Sequence, residues 1–147
     1  MTIYDSRIPV RLEKFQSSFS KLRTTAYLET PPGARTSSAL SRIVALSWSP
    51  LGNYVATGAV DKKLRVWNPE RAHVKHSTEL RGHTGSVERV AFNPMREAEL
   101  ASCSLDGTVR IWDVRSKANV AEIKTGKECF SLCWRPDGTE LVVGTKV

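Results

Sequence analysis

The sequence predicts an all-β fold built from repeated four-stranded units, and three observations predict it. Marker residues recur at a near-constant interval. Trp67 and Trp112 lie 45 residues apart, as do Asp61 and Asp106, while Trp48, Phe92 and Trp134 follow one another at 44 and 42. An interval of about 40 to 45 residues accommodates four short strands and their turns. Leu100-Ala101-Ser102-Cys103 and Val109-Arg110-Ile111-Trp112 are short apolar runs on either side of Asp106-Gly107, a tight-hairpin signal. Before them, Val87 to Phe92 alternates in polarity, which sets Val90 and Phe92 on one face of a strand.

The most complete unit opens with Gly82-His83-Thr84-Gly85 and closes with Ile111-Trp112-Asp113. A Gly-His opening and a Trp-Asp ending at this separation resemble one blade of the WD-repeat family. The resemblance implies a partial WD-repeat β-propeller of about two and a half four-stranded blades, with an irregular N-terminal tail. The expected organisation is a basic tail over residues 1–42, then blades over 43–81, 82–124 and a shortened 125–147.

In chain order, Leu12, Phe15, Phe19 and Leu22 recur at helical spacing after Pro9, so residues 1–42 read as a short amphipathic helix or an unfolded tail. Thr30-Pro31-Pro32-Gly33 breaks regular structure, and residues 35–40 read as an outer strand. The first full blade is expected to use Ile43–Trp48, Tyr54–Gly58, Leu64–Trp67 and Lys75–Arg81 as its strands. The second adds Asn119–Lys124 outside the hairpin already described. The third is expected to run from Glu128 to Trp134, turn at Pro136-Asp137-Gly138, and continue over Glu140–Gly144. An array of this kind leaves apolar faces wet at both ends, so the 147-residue chain is expected to be a fragment that aggregates or melts with poor cooperativity.

Composition narrows the class. Three cysteines cannot all pair, and no secretory leader precedes them, which points to a reduced intracellular compartment. Cys129 and Cys133 fall in a strand with no clustered histidine, so neither a metal site nor any cofactor is expected. The apolar runs are too short for a membrane span. The net charge of +7 is uneven: residues 1–42 hold seven basic and three acidic residues, the rest fifteen and twelve. A basic tail suits RNA or an acidic protein surface.

His83, Ser102, Asp106 and Trp112 occupy the positions that, in WD-repeat proteins, form a buried hydrogen-bonded tetrad. Carboxylate accepts from imidazole, imidazole meets hydroxyl, and hydroxyl accepts from an indole N–H that can only donate. A His, a Ser and an Asp also invite a catalytic triad, but a Ser aimed at an indole has no open cleft to serve. Thr57, Asp61 and Trp67 match these positions in blade one without a histidine, Ala39 or a neighbour standing there. Blade three has Gly126-Lys127 for Gly-His and Val143 for Ser. Weaker networks are therefore expected on both flanks. No phosphate loop or paired-carboxylate pattern supports an enzyme, and no small-molecule substrate is implied.

A finer resemblance covers residues 42–146, which are similar to the family of WD-repeat subunits of the THO complex, its third subunit. It rests on Val44-Ala45-Leu46-Ser47-Trp48-Ser49, Gly82-His83-Thr84-Gly85-Ser86-Val87, Asp106 to Arg115, Cys133-Trp134-Arg135-Pro136-Asp137-Gly138 and Val143-Gly144-Thr145-Lys146. That resemblance implies a nuclear, non-catalytic scaffold whose partners are the other protein subunits of an assembly for messenger-RNP packaging and mRNA export. Two alternatives stand beside it. Trp112-Asp113-Val114-Arg115 matches the ending of WD-repeat substrate receptors of cullin-RING ubiquitin ligases, where Arg115 would contact the adaptor. A propeller binding RNA through its basic tail is the other. The face formed by the tight turns and the strand-four to strand-one loops, with Lys62, Lys63, Thr84 and Lys127, is expected to dock an acidic protein partner.

Overall fold

The structure, a computed structural model, describes residues 42–70 and 77–147. The tail helix, the Thr30–Gly33 linker, the outer strand over 35–40 and the position of Ala39 lie outside the described residues. Ten strands follow in order: β1 Ile43–Trp48, β2 Val55–Ala59, β3 Leu64–Trp67, β4 Thr78–Leu80, β5 Val87–Phe92, β6 Glu99–Ser104, β7 Thr108–Asp113, β8 Ala118–Lys124, β9 Cys129–Trp134 and β10 Leu141–Thr145. They form two four-stranded antiparallel sheets, β1-β2-β3-β4 and β5-β6-β7-β8, and a two-stranded sheet of β9 and β10. The fold is all-β, a partial propeller of successive blades. Among the described residues no helix is long and apolar enough to cross a membrane.

Strand boundaries follow from the turns. Tyr54 begins no strand because its N–H donates to Ser49 Oγ at 3.0 Å, so β2 starts one residue later than expected. Glu140 is likewise drawn into a turn, its carbonyl accepting from the Arg135 N–H, and β10 starts at Leu141. Blade one's outer strand is shorter than Lys75–Arg81, with β4 confined to Thr78–Leu80 and residues 75 and 76 outside the described residues.

Simple alternation set Val90 and Phe92 on one face of β5, as observed, but does not account for Val87. The register between β5 and β6 shifts between Val87 and Arg89, so Glu88 is an extra residue. The bulge turns Val87 onto the face that carries Val90 and Phe92, and all three are buried. The same shift occurs around Val44 in β1 and around Phe130 in β9. Every blade therefore bends its inner strand at one equivalent residue.

Packing runs from blade to blade. Val87, Val90, Phe92, Leu100 and Trp112 of blade two cover Ala45, Ala56, Leu64, Val66 and Leu80 of blade one. On its other side, blade two presents Ala101, Cys103 and Val109 to Cys129 and Leu132. Large side chains of one inner strand thus meet the smaller residues of the blade before it.

Candidate functional site

Strand pairing dictates the centre of blade two. In β6 and β7, Leu100 faces Trp112 and Ser102 faces Arg110, so Ser102 lies beside the indole, and the β6–β7 turn carries Asp106 toward the loop holding His83. His83 Nε2 is 2.8 Å from Ser102 Oγ and Nδ1 is 2.9 Å from Asp106 Oδ2. Trp112 Nε1–H donates to Ser102 Oγ at 2.8 Å. The proton inventory admits one arrangement. Indole donates to Ser102, Ser102 O–H donates to Nε2, and Nδ1–H donates to Asp106, which leaves the imidazole neutral. Burial pushes the His83 pKa down, and the Asp106 carboxylate opposes that shift without cancelling it. For Asp106, burial pushes upward, but bonds from the Thr108 hydroxyl, the Thr84 N–H and His83 hold the carboxyl well below the usual range.

The network is larger than four residues. Thr108 Oγ1 donates to Asp106 Oδ1 at 2.7 Å and stands 3.2 Å from His83 Nδ1. Arg110 covers the Trp112 ring at 5.9 Å and pairs with Glu122 at 2.7 Å. A Cβ at Gly82 would strike the Arg110 guanidinium, which accounts for glycine before His83 by close approach. Thr108 carried no marker because threonine is ordinary in a strand. Its position two after Asp106 was the available signal, since a hydroxyl there reaches back to the carboxylate.

Chemically this arrangement holds itself together. Ser102 is fully buried and its oxygen already accepts from an indole, so it has no substrate to face. Among the described residues no group of three His, Cys, Asp or Glu could hold a metal ion. Cys129 and Cys133 share β9, but one is buried and the other exposed.

Blade one brings its three candidates together differently. Trp67 Nε1–H reaches Thr57 Oγ1 at a long 3.4 Å, and Asp61 turns to Arg65 at 2.6 Å. Lys63 Nζ lies 3.0 Å from Glu79, which also binds Arg81. This alters the expected lysine cluster: Lys63 serves an ion pair within its own blade. Lys62, Thr84 and Lys127 are exposed at the end of the sheets that carries the β2–β3, β4–β5 and β8–β9 connections. Arg115 sits in the β7–β8 loop, at the opposite end.

That opposite end holds contacts that no motif in the sequence marks. Glu97, in the β5–β6 turn, accepts from Ser49 Oγ at 2.6 Å and from the Leu51 N–H at 2.9 Å. Asn93 Nδ2 donates to the Gly138 carbonyl at 2.9 Å. Trp134 Nε1–H donates to the Ala91 carbonyl at 3.0 Å. These bonds join residues 43 to 48 positions apart, where only the repeat interval hints at proximity.

Comparison with known proteins agrees with this architecture. Residues 34–68 and 74–113 match the family described as WD domain, G-beta repeat. The chain is 34% identical over 107 residues to THO complex subunit 3 of Arabidopsis thaliana, covering 71% of this chain and 34% of the relative. It is 27% identical over 121 residues to WD repeat-containing protein AAC3 of Dictyostelium discoideum, covering 69% and 25%. Glutamate-rich WD repeat-containing protein 1 of the same organism is 40% identical over 82 residues, covering 54% and 17%. The chain thus spans about a third or less of the length of these curated relatives.

Proposed function

The chain belongs to the WD-repeat family, and from that premise we propose that it is a non-catalytic protein-interaction scaffold, the WD-repeat subunit of a THO complex. Its place would be the nucleus, in transcription-coupled messenger-RNP assembly and mRNA export. The observation that carries this reading is the 34% identity to a THO complex subunit 3 across 71% of the chain. The buried, self-satisfied His83–Ser102–Asp106–Trp112 network supports a scaffold rather than an enzyme, because its polar groups are spent on one another. Residues 1–42 are proposed as a basic tail ahead of the blades, and RNA is reached through the complex or through that tail.

Partners are proposed to dock on the end that carries Lys62, Thr84 and Lys127. Charge there speeds association with an acidic surface more than it deepens affinity. Affinity purification with mass spectrometry tests the assignment. Recovery of other THO subunits is the expected result, whereas a cullin adaptor lost on Arg115→Ala would replace it with the ligase reading. Charge reversal at Lys62 and Lys127 should slow complex formation at low salt; an unchanged on-rate means that another face docks the partner.

A further inference from the structure

Cysteines occupy both sides of the junction between blades two and three, and the junction before it supplies the measure of their separation. Gly58 of β2 and Val87 of β5 meet where blade one receives blade two. A Cβ added at Gly58 would lie 3.2 Å from the Val87 Cβ and 2.7 Å from its Cγ1. By the repeat, Cys103 stands at the Gly58 position and Cys129 at the Val87 position. Gly58 pairs with Ala45 as Cys103 pairs with Arg89. Val87 opens β5 as Cys129 opens β9, each at the start of a six-residue strand that ends in an aromatic residue. Both cysteines are fully buried, in one apolar cluster with Ala101, Val109 and Leu132. Burial, and after it the neighbouring Cys129, pushes the Cys103 thiol up to about 12. The first junction gives all its space to a valine; the second divides it between two thiols.

We infer that Cys103 and Cys129 form a disulfide that staples blade two to blade three when the chain meets an oxidant of the small-disulfide class, such as oxidised glutathione. A Cβ–Cβ separation like that of Gly58 and Val87, opened slightly to relieve the overlap, falls in the disulfide range of about 3.5 to 4.5 Å. Cys129 Sγ rests 3.1 Å from Thr125 Oγ1 and 3.4 Å from the Lys127 carbonyl. Turning it toward Cys103 gives up those contacts, while Thr125 keeps its bond to the Gly107 carbonyl at 2.8 Å. In the reaction one cysteine, as thiolate, attacks a sulfur of the oxidant and expels one glutathione thiolate. The other cysteine then attacks the protein sulfur of the mixed disulfide and expels the second. Two protein thiols lose two electrons and two protons, and the oxidant leaves as two thiols. Both cysteines are sealed in the closed junction, so exchange waits until blades two and three part, and the bond is made as they close. The two positions lie 26 residues apart, and closing that loop restricts the unfolded chain. Exposed Cys133 is not part of the cluster and serves as an internal control.

Refolding under redox control tests the pair. The purified 147-residue chain is unfolded in urea with reductant and refolded in a glutathione redox buffer. Its proteolytic peptides are then mapped by mass spectrometry without reduction. The expected main product is a monomer with a Cys103–Cys129 linkage, in which Cys133 stays free or carries glutathione. Urea unfolding of that product should show a midpoint above that of the same chain treated with dithiothreitol. Cys103→Ala and Cys129→Ala should each remove the shift, and Cys133→Ala should keep it. A main linkage that joins Cys133 to either of the others would overturn the inference. So would cysteines that emerge only as free thiols or glutathione adducts. A linked chain that unfolds at no higher urea than the reduced one would overturn it as well, since the two positions would then share packing and nothing more.

Discussion

Asn93 ties the β5–β6 turn of blade two to the β9–β10 turn of blade three, its amide donating to the Gly138 carbonyl at 2.9 Å and to Glu99 at 2.7 Å. Asn93 is fully buried, so these bonds carry the cost of its desolvation. Gly138, with φ at 71°, lies so close that an added Cβ would meet the Asn93 amide.

A pair of glycine substitutions isolates this contact. Gly52 has a similar φ of 79° with nothing within 4 Å of an added Cβ. Gly52→Ala should cost about 1 to 2 kcal/mol from left-handed backbone strain alone. Gly138→Ala adds the displacement of Asn93, worth about a further 1 to 3 kcal/mol. Urea unfolding of both variants checks the difference; equal losses would mean that Asn93 yields freely.

Blade two should prove the most sensitive to loss of its polar network. His83→Ala or Asp106→Ala leaves buried groups without partners, at about 1 to 3 kcal/mol each. Thr57→Ala should cost less, since its bond from Trp67 is 3.4 Å long. Thermal melts of the three variants rank the sites. Equal destabilisation at Thr57 and His83 would reject the assignment of the network to blade two.

The same groups set a pH dependence with a definite sign. His83 is held below its ordinary 6.5, so the unfolded chain takes up a proton that the folded chain refuses. Stability therefore falls as pH drops below about 6.5, until the folded imidazole titrates as well. Asp106 is depressed below its ordinary 3.8, and its contribution is present above that value and lost as pH falls further. Denaturant midpoints between pH 7.5 and 5 should decline for the parent chain and flatten for His83→Gln. An unchanged slope in that variant would place the proton uptake elsewhere.

Thiol labelling should distinguish the three cysteines. Burial raises the Cys103 thiol to about 12, and Cys129 is fully buried beside it in the same apolar cluster, whereas Cys133 is exposed. Maleimide at neutral pH should modify Cys133 first and the other two only on unfolding. Peptide mapping after a short pulse reads the order. Early modification of Cys103 would show that blades two and three separate readily.

Much of the fold was legible because repetition multiplies weak signals. One Trp-Asp ending is ambiguous, but Trp67, Trp112 and the aromatic series Trp48, Phe92, Trp134 placed every described inner strand to within a residue, β9 starting at Cys129 rather than Glu128. The network of blade two was legible in part, since His83, Ser102, Asp106 and Trp112 carry distinctive side chains. Thr108 and Arg110 did not stand out, because their roles depend on which strand lies opposite. The junction contacts of Glu97 and Asn93 were illegible for a related reason. Each looks like an ordinary turn residue until the neighbouring turn is placed beside it. Of the three lysines expected to form a patch, Lys63 pairs with Glu79, which arrives from another strand and carried no sign in the sequence.

The extra residue in each inner strand bears on how these molecules meet one another. β1, β5 and β9 are all edge strands, with one row of backbone N–H and C=O groups unpaired by their own sheets. A straight edge would let a neighbouring chain add itself strand by strand, as a zip closes. Val44, Glu88 and Phe130 interrupt the two-residue rhythm that such zipping requires. The bulges thereby blunt these edges against unselective strand addition.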